Sequence, residues 1–289
     1  MLFVLVAVAR LAVAPAQDTD TTFAVRQGQR LELSDFGGQV TIKAWRQSSI
    51  RVKASHSSHD RISVSAEGST VSISASSRHG PANVDYELLV PAWMPLSVSG
   101  TPEAEVSIEG TEAEVSVETV EGAVHVVGGS GNVSLRSVEG EVSIEGARGR
   151  IELNSVDGAI SVKDCSGDIT AETVDGEITM SGIESSNVDA STVDGTVDYD
   201  GTIRDNGRYH FESHDGDVTV SVPAKANVTV AVSTFSGDFD TCFPLQLKDK
   251  TKHRFTFTLG TGSARLELES FDGSISICRP GRGHDKDKE

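Results

Sequence analysis

The sequence predicts an all-β protein: a β-solenoid of about nine 18-residue, two-strand coils, preceded by a β-rich N-terminal cap. The first observation is a nine-residue unit that repeats seven times without insertion over residues 122–184. Each unit opens on glycine: Gly122, Gly131, Gly140, Gly149, Gly158, Gly167 and Gly176. The second observation is the pattern inside the unit. Position three is always β-branched (Val124, Val133, Val142, Ile151, Ile160, Ile169, Ile178) and position five always apolar (Val126, Leu135, Ile144, Leu153, Val162, Ala171, Met180), with mostly polar residues between them. The third is a longer period. Alternate units end on Thr-Val-Glu-Gly at 119–122, Ser-Val-Glu-Gly at 137–140, Ser-Val-Asp-Gly at 155–158 and Thr-Val-Asp-Gly at 173–176. The block returns at 192–195 and, altered, at 213–216, 234–237 and 270–273.

Apolar residues two apart with polar neighbours mark a strand with one buried face. Glycine after an acidic residue suits a corner that needs a positive φ. A unit is therefore a short strand plus a corner, and the true repeat is two unequal halves. At ~3.3 Å per residue, two strands and two corners close one turn of a flat coil. Stacked coils hydrogen-bond strand on strand, and positions three, five and eight are expected to fill a continuous core. An antiparallel meander of the same spacing is the alternative, but it leaves one apolar face uncovered.

The order along the chain follows. Residues 2–14 are apolar and end at Ala14-Pro15-Ala16, a small-x-small cleavage site, so residues 1–16 are expected to be a secretory signal peptide. Residues 17–100 carry strand-like alternation without the strict unit, as in Leu31-Glu-Leu33, Val40-Thr-Ile42, Ile50-Arg-Val52 and Val71-Ser-Ile73. A solenoid end exposes unpaired backbone, so this region is assigned as the cap. Residues 101–279 form the repeat region. Ala104 and Ala113 open its first units, and insertions fall between units at about 201–206, 221–227 and, largest, 243–263. The last insertion holds the one dense basic cluster: Lys248, Lys250, Lys252, His253 and Arg254. Phe211, Phe235, Phe239 and Phe271 predict wider final coils. Residues 280–289 are charged and read as a disordered tail.

Several segments together resemble the bacterial putative-adhesin family, a domain of unknown function built from short β repeats. They are Phe23-x-Val25-x-x-Gly28-x-x-Leu31-x-Leu33, Gly38-x-Val40-x-Ile42-x-x-Trp45, Val84-Asp85-Tyr86 leading to Val90-Pro91, and the Val-Asp-Gly repeats. The resemblance spans roughly residues 22 to 278. It implies a repetitive β fold and no catalytic residues. The three cysteines and the long basic insertion depart from the pattern.

Composition narrows the function. A formal charge of −18 argues against nucleic acid, whose phosphates need a basic surface, and against adhesion to anionic lipid. No stretch after residue 14 is long and apolar enough to span a membrane. Ninth positions supply an acidic corner column: Glu121, Glu139, Asp157, Asp175, Asp194, Asp215 and Asp272. Calcium-binding β-rolls use Gly-Gly-x-Gly-x-Asp, which is absent, and free exchange of Glu for Asp does not suit a tight coordination sphere. The column thus reads as corner chemistry, with no metal or cofactor site. Carboxylates ~5 Å apart also match a retaining glycosidase, but here every coil offers the same spacing. Seventh positions are all hydroxyls (Thr119, Ser137, Ser155, Thr173, Thr192, Ser213, Thr234, Ser270), read as turn residues. His56-x-x-His59-Asp60 and His210-x-x-x-His214 each lack a third metal ligand and read as structural.

Register alone pairs two cysteines. Gly237 and Gly273 open matching half-units, which aligns Phe239 with Ile275, Thr241 with Ile277, and Cys242 with Cys278. Stacked equivalent residues lie ~4.8 Å apart, within disulfide range, so a Cys242–Cys278 bond is expected, clamping the last coil. Cys165, at an eighth position, is expected to be an inward apolar filler. Together these readings describe an exported, non-catalytic, adhesin-like protein, secreted, periplasmic or at the cell surface. Its partner would be an extracellular or envelope protein or glycan. A structural or sensory envelope component is the alternative, and a carbohydrate-active β-helix enzyme the third reading.

Overall fold

A computed structural model describes residues 17–34, 36–78, 80–100, 104–244 and 253–280. The expected signal peptide, residues 281–289 of the expected tail, and Lys248, Lys250 and Lys252 lie outside the described residues. Among the described residues there are 25 strands, and no helix is long and apolar enough to cross a membrane.

Residues 18 apart pair in parallel. Val142 lies beside Ile160 and Ile144 beside Val162 in one sheet, while Val133 lies beside Ile151 and Leu135 beside Leu153 in the other. Within the repeat, consecutive strands thus belong to opposite sheets, and each coil contributes one strand to each. This is the solenoid, not the meander. A meander pairs each strand with its chain neighbour and leaves positions three and five of every strand open on one side. Here those positions face each other across the two sheets. From Val124 through Met180 they are at most 2% exposed, as apolar burial requires.

The first sheet runs, in spatial order, Gln17–Ala24, Ser49–His56, Val84–Pro91, Gly38–Trp45, Ala104–Thr111, Val124–Gly128, Val142–Glu145, Ile160–Lys163 and then the first half of Ile178–Asp194. It continues through Val197–Gly201, Val218–Ser221 and Ile275–Cys278 to Phe239–Thr241. The second runs Asp60–Glu67, Thr70–Ser77, Arg30–Ser34, Leu96–Ser99, Val115–Glu118, Ser130–Arg136, Arg148–Asn154 and Ser166–Glu172. The second half of Ile178–Asp194, Arg208–Asp215, Ala264–Asp272, Val228–Thr234 and Arg254–Leu259 complete it.

Spatial order departs from chain order at both ends. Arg30–Ser34 and Gly38–Trp45 form a coil inside the stack, and the later strands Thr70–Ser77 and Val84–Pro91 lie outside it. At the other end Ala264–Asp272 and Ile275–Cys278 insert between the coil at 208–221 and the coil at 228–241. Within residues 17–100, then, some strands join the parallel stack and others cap it. Capping falls to strands that run against the stack, Ser49–His56 and Asp60–Glu67 at one end and Arg254–Leu259 at the other, with Gln17–Ala24 added antiparallel to Ser49–His56 at the outer edge. A reversed strand breaks the parallel register, so further coils cannot be added there.

The core thickens toward the C-terminal end, but with tyrosine as well as phenylalanine. Tyr199, Tyr209 and Phe211 are buried together, with ring centroids 4.8 Å and 6.0 Å from Tyr199. Both hydroxyls are satisfied: Tyr199 donates to Thr202 O at 2.9 Å and Tyr209 to Ser185 O at 2.7 Å. Burial raises the pKa of both phenols. Phe239 is half-buried, whereas Phe235 and Phe271 lie outside the core.

Candidate functional site

The two corners of a coil differ. At the corner following a strand of the second sheet, the seventh-position hydroxyl turns inward. Thr119, Ser137, Ser155, Thr173, Thr192, Ser213, Ser270 and Thr234 are all buried. Each from Ser137 onward donates to the carbonyl of the corner glycine in the neighbouring coil: Ser155 to Gly140 O at 3.3 Å, Thr173 to Gly158 O at 3.2 Å, Ser213 to Gly195 O at 2.8 Å. The corner glycine is required by close approach, whatever its φ. A Cβ on Gly158 would overlap the Gly140 carbonyl, and the same overlap recurs up the column.

With the hydroxyl inward, the eighth position points out. This corrects the expectation that eighth positions complete the core at both corners. Val120, Val138, Val156, Val174 and Val193 form an exposed column, continued by His214, Phe271 and Phe235. Its large apolar members are between 40% and 59% exposed. At the C-terminal end the column becomes aromatic. His214 meets Phe271 edge-on at 4.8 Å, Phe271 stacks on Phe235 at 4.8 Å, and Phe235 stacks on His253 at 5.4 Å. At the opposite corner the eighth position does face inward: Ala147, Cys165 and Ile183 are fully buried. Burial pushes the Cys165 thiol pKa up.

The acidic residues stand beside the apolar column. Glu121, Glu139, Asp157, Asp175 and Asp194 follow one another as parallel bridges, and Asp215 and Asp272 extend the series. All seven are exposed. The main chain holds this corner. Asp157 N donates to Val138 O (2.8 Å) and Gly140 N to Asp157 O (2.9 Å), and the pattern repeats from coil to coil. Side chains at positions eight and nine are thus not needed to hold the corner, although Asp272 accepts a hydrogen bond from Ser236 Oγ at 2.9 Å. Alternation across the corner is the signal that could have exposed this: an invariant hydroxyl at seven, turned inward, sends eight out.

Elsewhere the outer face of the first sheet carries a single file of Thr41, Ser107, His125, Ser143, Ser161, Thr179, Asp198, Thr219 and Ser276. Asp198 is half-buried there; desolvation, with Glu177 and Asp217 nearby, raises its carboxyl pKa, against a hydrogen bond from Thr219. No sequence pattern marked it. His56 bonds to Thr19 Oγ1 at 3.1 Å and Ser57 O at 2.9 Å. His210 lies 3.2 Å from Asp189, and His214 belongs to the corner column instead. Among the described residues no three His, Cys, Asp or Glu side chains converge as a metal site. Cys242 and Cys278 are joined through sulfur with Cα atoms 4.9 Å apart, and Cys242 N donates to Ile277 O at 3.1 Å. The pair ties the coil at 228–241, which ends the stack, to the inserted coil at 264–278. The C-terminal coil of the chain is therefore not the end of the stack.

The Toastrack DUF4097 family profile matches residues 28–278. The chain belongs to the Toastrack DUF4097 family. The match runs from the coil beginning at Arg30 to the disulfide at Cys278, so the permuted ends are part of the Toastrack unit. No curated protein matches in sequence. Among solved structures, a putative adhesin from Parabacteroides merdae has the same fold, with a TM-score of 0.55 at 8% identity over 91% of this chain and 95% of its own. A putative adhesin from Parabacteroides distasonis aligns over 90% of this chain and 97% of its own at 10% identity, with a TM-score of 0.45. The likeness to the Parabacteroides merdae structure is one of fold, and with the family match it makes the Toastrack chain a β-repeat domain of unknown function.

Proposed function

We propose that this Toastrack chain is an exported, non-catalytic, adhesin-like binding protein of the cell surface or envelope that works by multivalent display. The observation that carries the reading is the corner itself. The same pair of exposed side chains, one apolar and one acidic, recurs coil after coil in register, held by main-chain bonds that do not need them. Individually shallow contacts repeated along a rigid axis gain avidity from a long ligand that a short one cannot supply. Every coil offers the same carboxylate spacing on an exposed corner, and no one pair of the column is enclosed in a cleft as general acid–base chemistry needs.

A glycan and matrix-protein array probed with the chain from residue 17 tests the proposal. Binding that strengthens with ligand length is the expected result. Hydrolysis of a polysaccharide on the array, or binding to no ligand, overturns it. Export is tested separately by N-terminal sequencing of secreted protein, which should begin at Gln17; retention of Arg10 refutes the signal peptide.

A further inference from the structure

We infer that the exposed corner ridge is a docking surface for a basic amphipathic helix of a partner protein. The inference rests on the reading of the chain as a binding protein and names its partner. Eight large apolar residues are exposed among the described residues, and seven stand on this one ridge: Val120, Val138, Val156, Val174, Val193, Phe271 and Phe235. An apolar strip of this length, rimmed by polar residues, is the mark of an interaction surface. A β-branched residue suits the extended backbone of the corner, but threonine would do so without exposing an isopropyl group five times over.

Charge selects the partner. The seven carboxylates of the ninth-position column line one flank, and the other carries Glu118, Glu172 and Glu212 with a single cation, Arg136, among them. A second copy would set like columns against each other. An anionic membrane is repelled in the same way by the net charge of −18. Lysine or arginine beside an apolar stripe answers both flanks and relieves the repulsion within the column.

Geometry selects a helix. An added strand needs a continuous run of unpaired backbone groups, and along this ridge the ninth-position amides and eighth-position carbonyls are already bonded coil to coil, as Asp157 N on Val138 O and Asp175 N on Val156 O show. Coils repeat every ~4.8 Å, and a helix offers one side chain of its stripe every ~5.4 Å. The mismatch is about 0.6 Å per turn, so a helix laid along the axis stays in step over four coils with a drift of about 2 Å, within side-chain reach. At the aromatic end, Phe271 and Phe235 stack on each other and widen the apolar strip.

The probe is a labelled peptide of about 18 residues, leucine on one helical face and lysine elsewhere, titrated by fluorescence anisotropy in physiological salt. A scrambled peptide of the same composition and a leucine–glutamate peptide are the controls. The leucine–lysine peptide should bind and become helical by circular dichroism, and neither control should bind comparably. The triple variant Val138→Ser, Val156→Ser, Val174→Ser and the triple variant Asp157→Asn, Asp175→Asn, Asp194→Asn should each weaken binding roughly tenfold or more. Thermal melts check that the exposed substitutions leave the stack folded. The single variant Val156→Lys, which places a like charge under the peptide, gives a second readout with minimal change. Equal binding of the scrambled peptide, affinity untouched by both triples, or wild-type self-association abolished by the valine triple would each overturn the proposal. Array binding that survives the valine triple would overturn it too while leaving the display function standing.

Discussion

At the residue scale, the corner shows how a small side chain can set a large structure. Gly158 is needed because the coil beneath it presents the Gly140 carbonyl where a Cβ would sit, and that carbonyl is also the acceptor of Ser155. Gly158→Ala should force the two coils apart and cost about 2–3 kcal/mol or more, read as a lowered midpoint in urea. An unchanged midpoint would mean that the corner relaxes around the added Cβ. Asp198 acts in the opposite sense. Its carboxyl pKa is raised in the folded state, by desolvation first and then by Glu177 and Asp217. Below the carboxylate range both folded and unfolded forms are protonated and the group costs nothing. As pH rises through the folded pKa, ionisation is disfavoured only in the folded state, so stability falls. Asp198→Asn should therefore raise Tm at pH 7, with the gain shrinking as pH falls toward about 4. A gain that persists in acid would assign the effect to packing.

At the scale of elements, strand direction separates stack from cap. Parallel strands 18 residues apart add indefinitely, and the reversed strands Ser49–His56, Asp60–Glu67 and Arg254–Leu259 stop them. The terminal coil at 228–241 is the exposed one, and the Cys242–Cys278 pair spans it to its neighbour. A loop with a sequence separation of 36 corresponds to ~3–4 kcal/mol in the chain-entropy account. A non-reduced digest should link the Cys242 and Cys278 peptides, with Cys165 alkylated only after unfolding. A crosslink that includes Cys165 would contradict the register. Reduction should lower Tm and loosen first the strands at this end.

At the scale of the whole molecule, one slim core runs the length of the stack, and like charges line its outside. Neighbouring carboxylates of the corner column repel by ~1 kcal/mol per pair at about 4 Å in water before screening. Sodium chloride raised from roughly 10 to 300 mM, which shortens the screening length several-fold, should raise Tm. Calcium at matched ionic strength should do no more, and a saturable micromolar calcium isotherm would make the column a cation site instead. The same repulsion that costs stability opposes side-by-side association of such stacks.

The repeat, the two-sheet coil and the pairing of Gly237 with Gly273 were legible in the sequence because they depend on periodicity, and a period of 18 in the chain is a period of one coil in space. Burial of positions three and five follows from strand alternation alone. Corners obey no such alternation. The tertiary structure decided that the hydroxyl of each Ser/Thr-Val-Asp/Glu-Gly block turns inward and its valine outward, because the glycine carbonyl of the next coil is the partner that the hydroxyl finds. It also decided the order of coils at the ends, where Arg30–Ser34 lies inside Thr70–Ser77 and Ala264–Asp272 inside Val228–Thr234. Local patterning specifies which face of a strand is buried; which coil lies against which is specified by long-range register, and equivalent repeats carry no local mark of their neighbours.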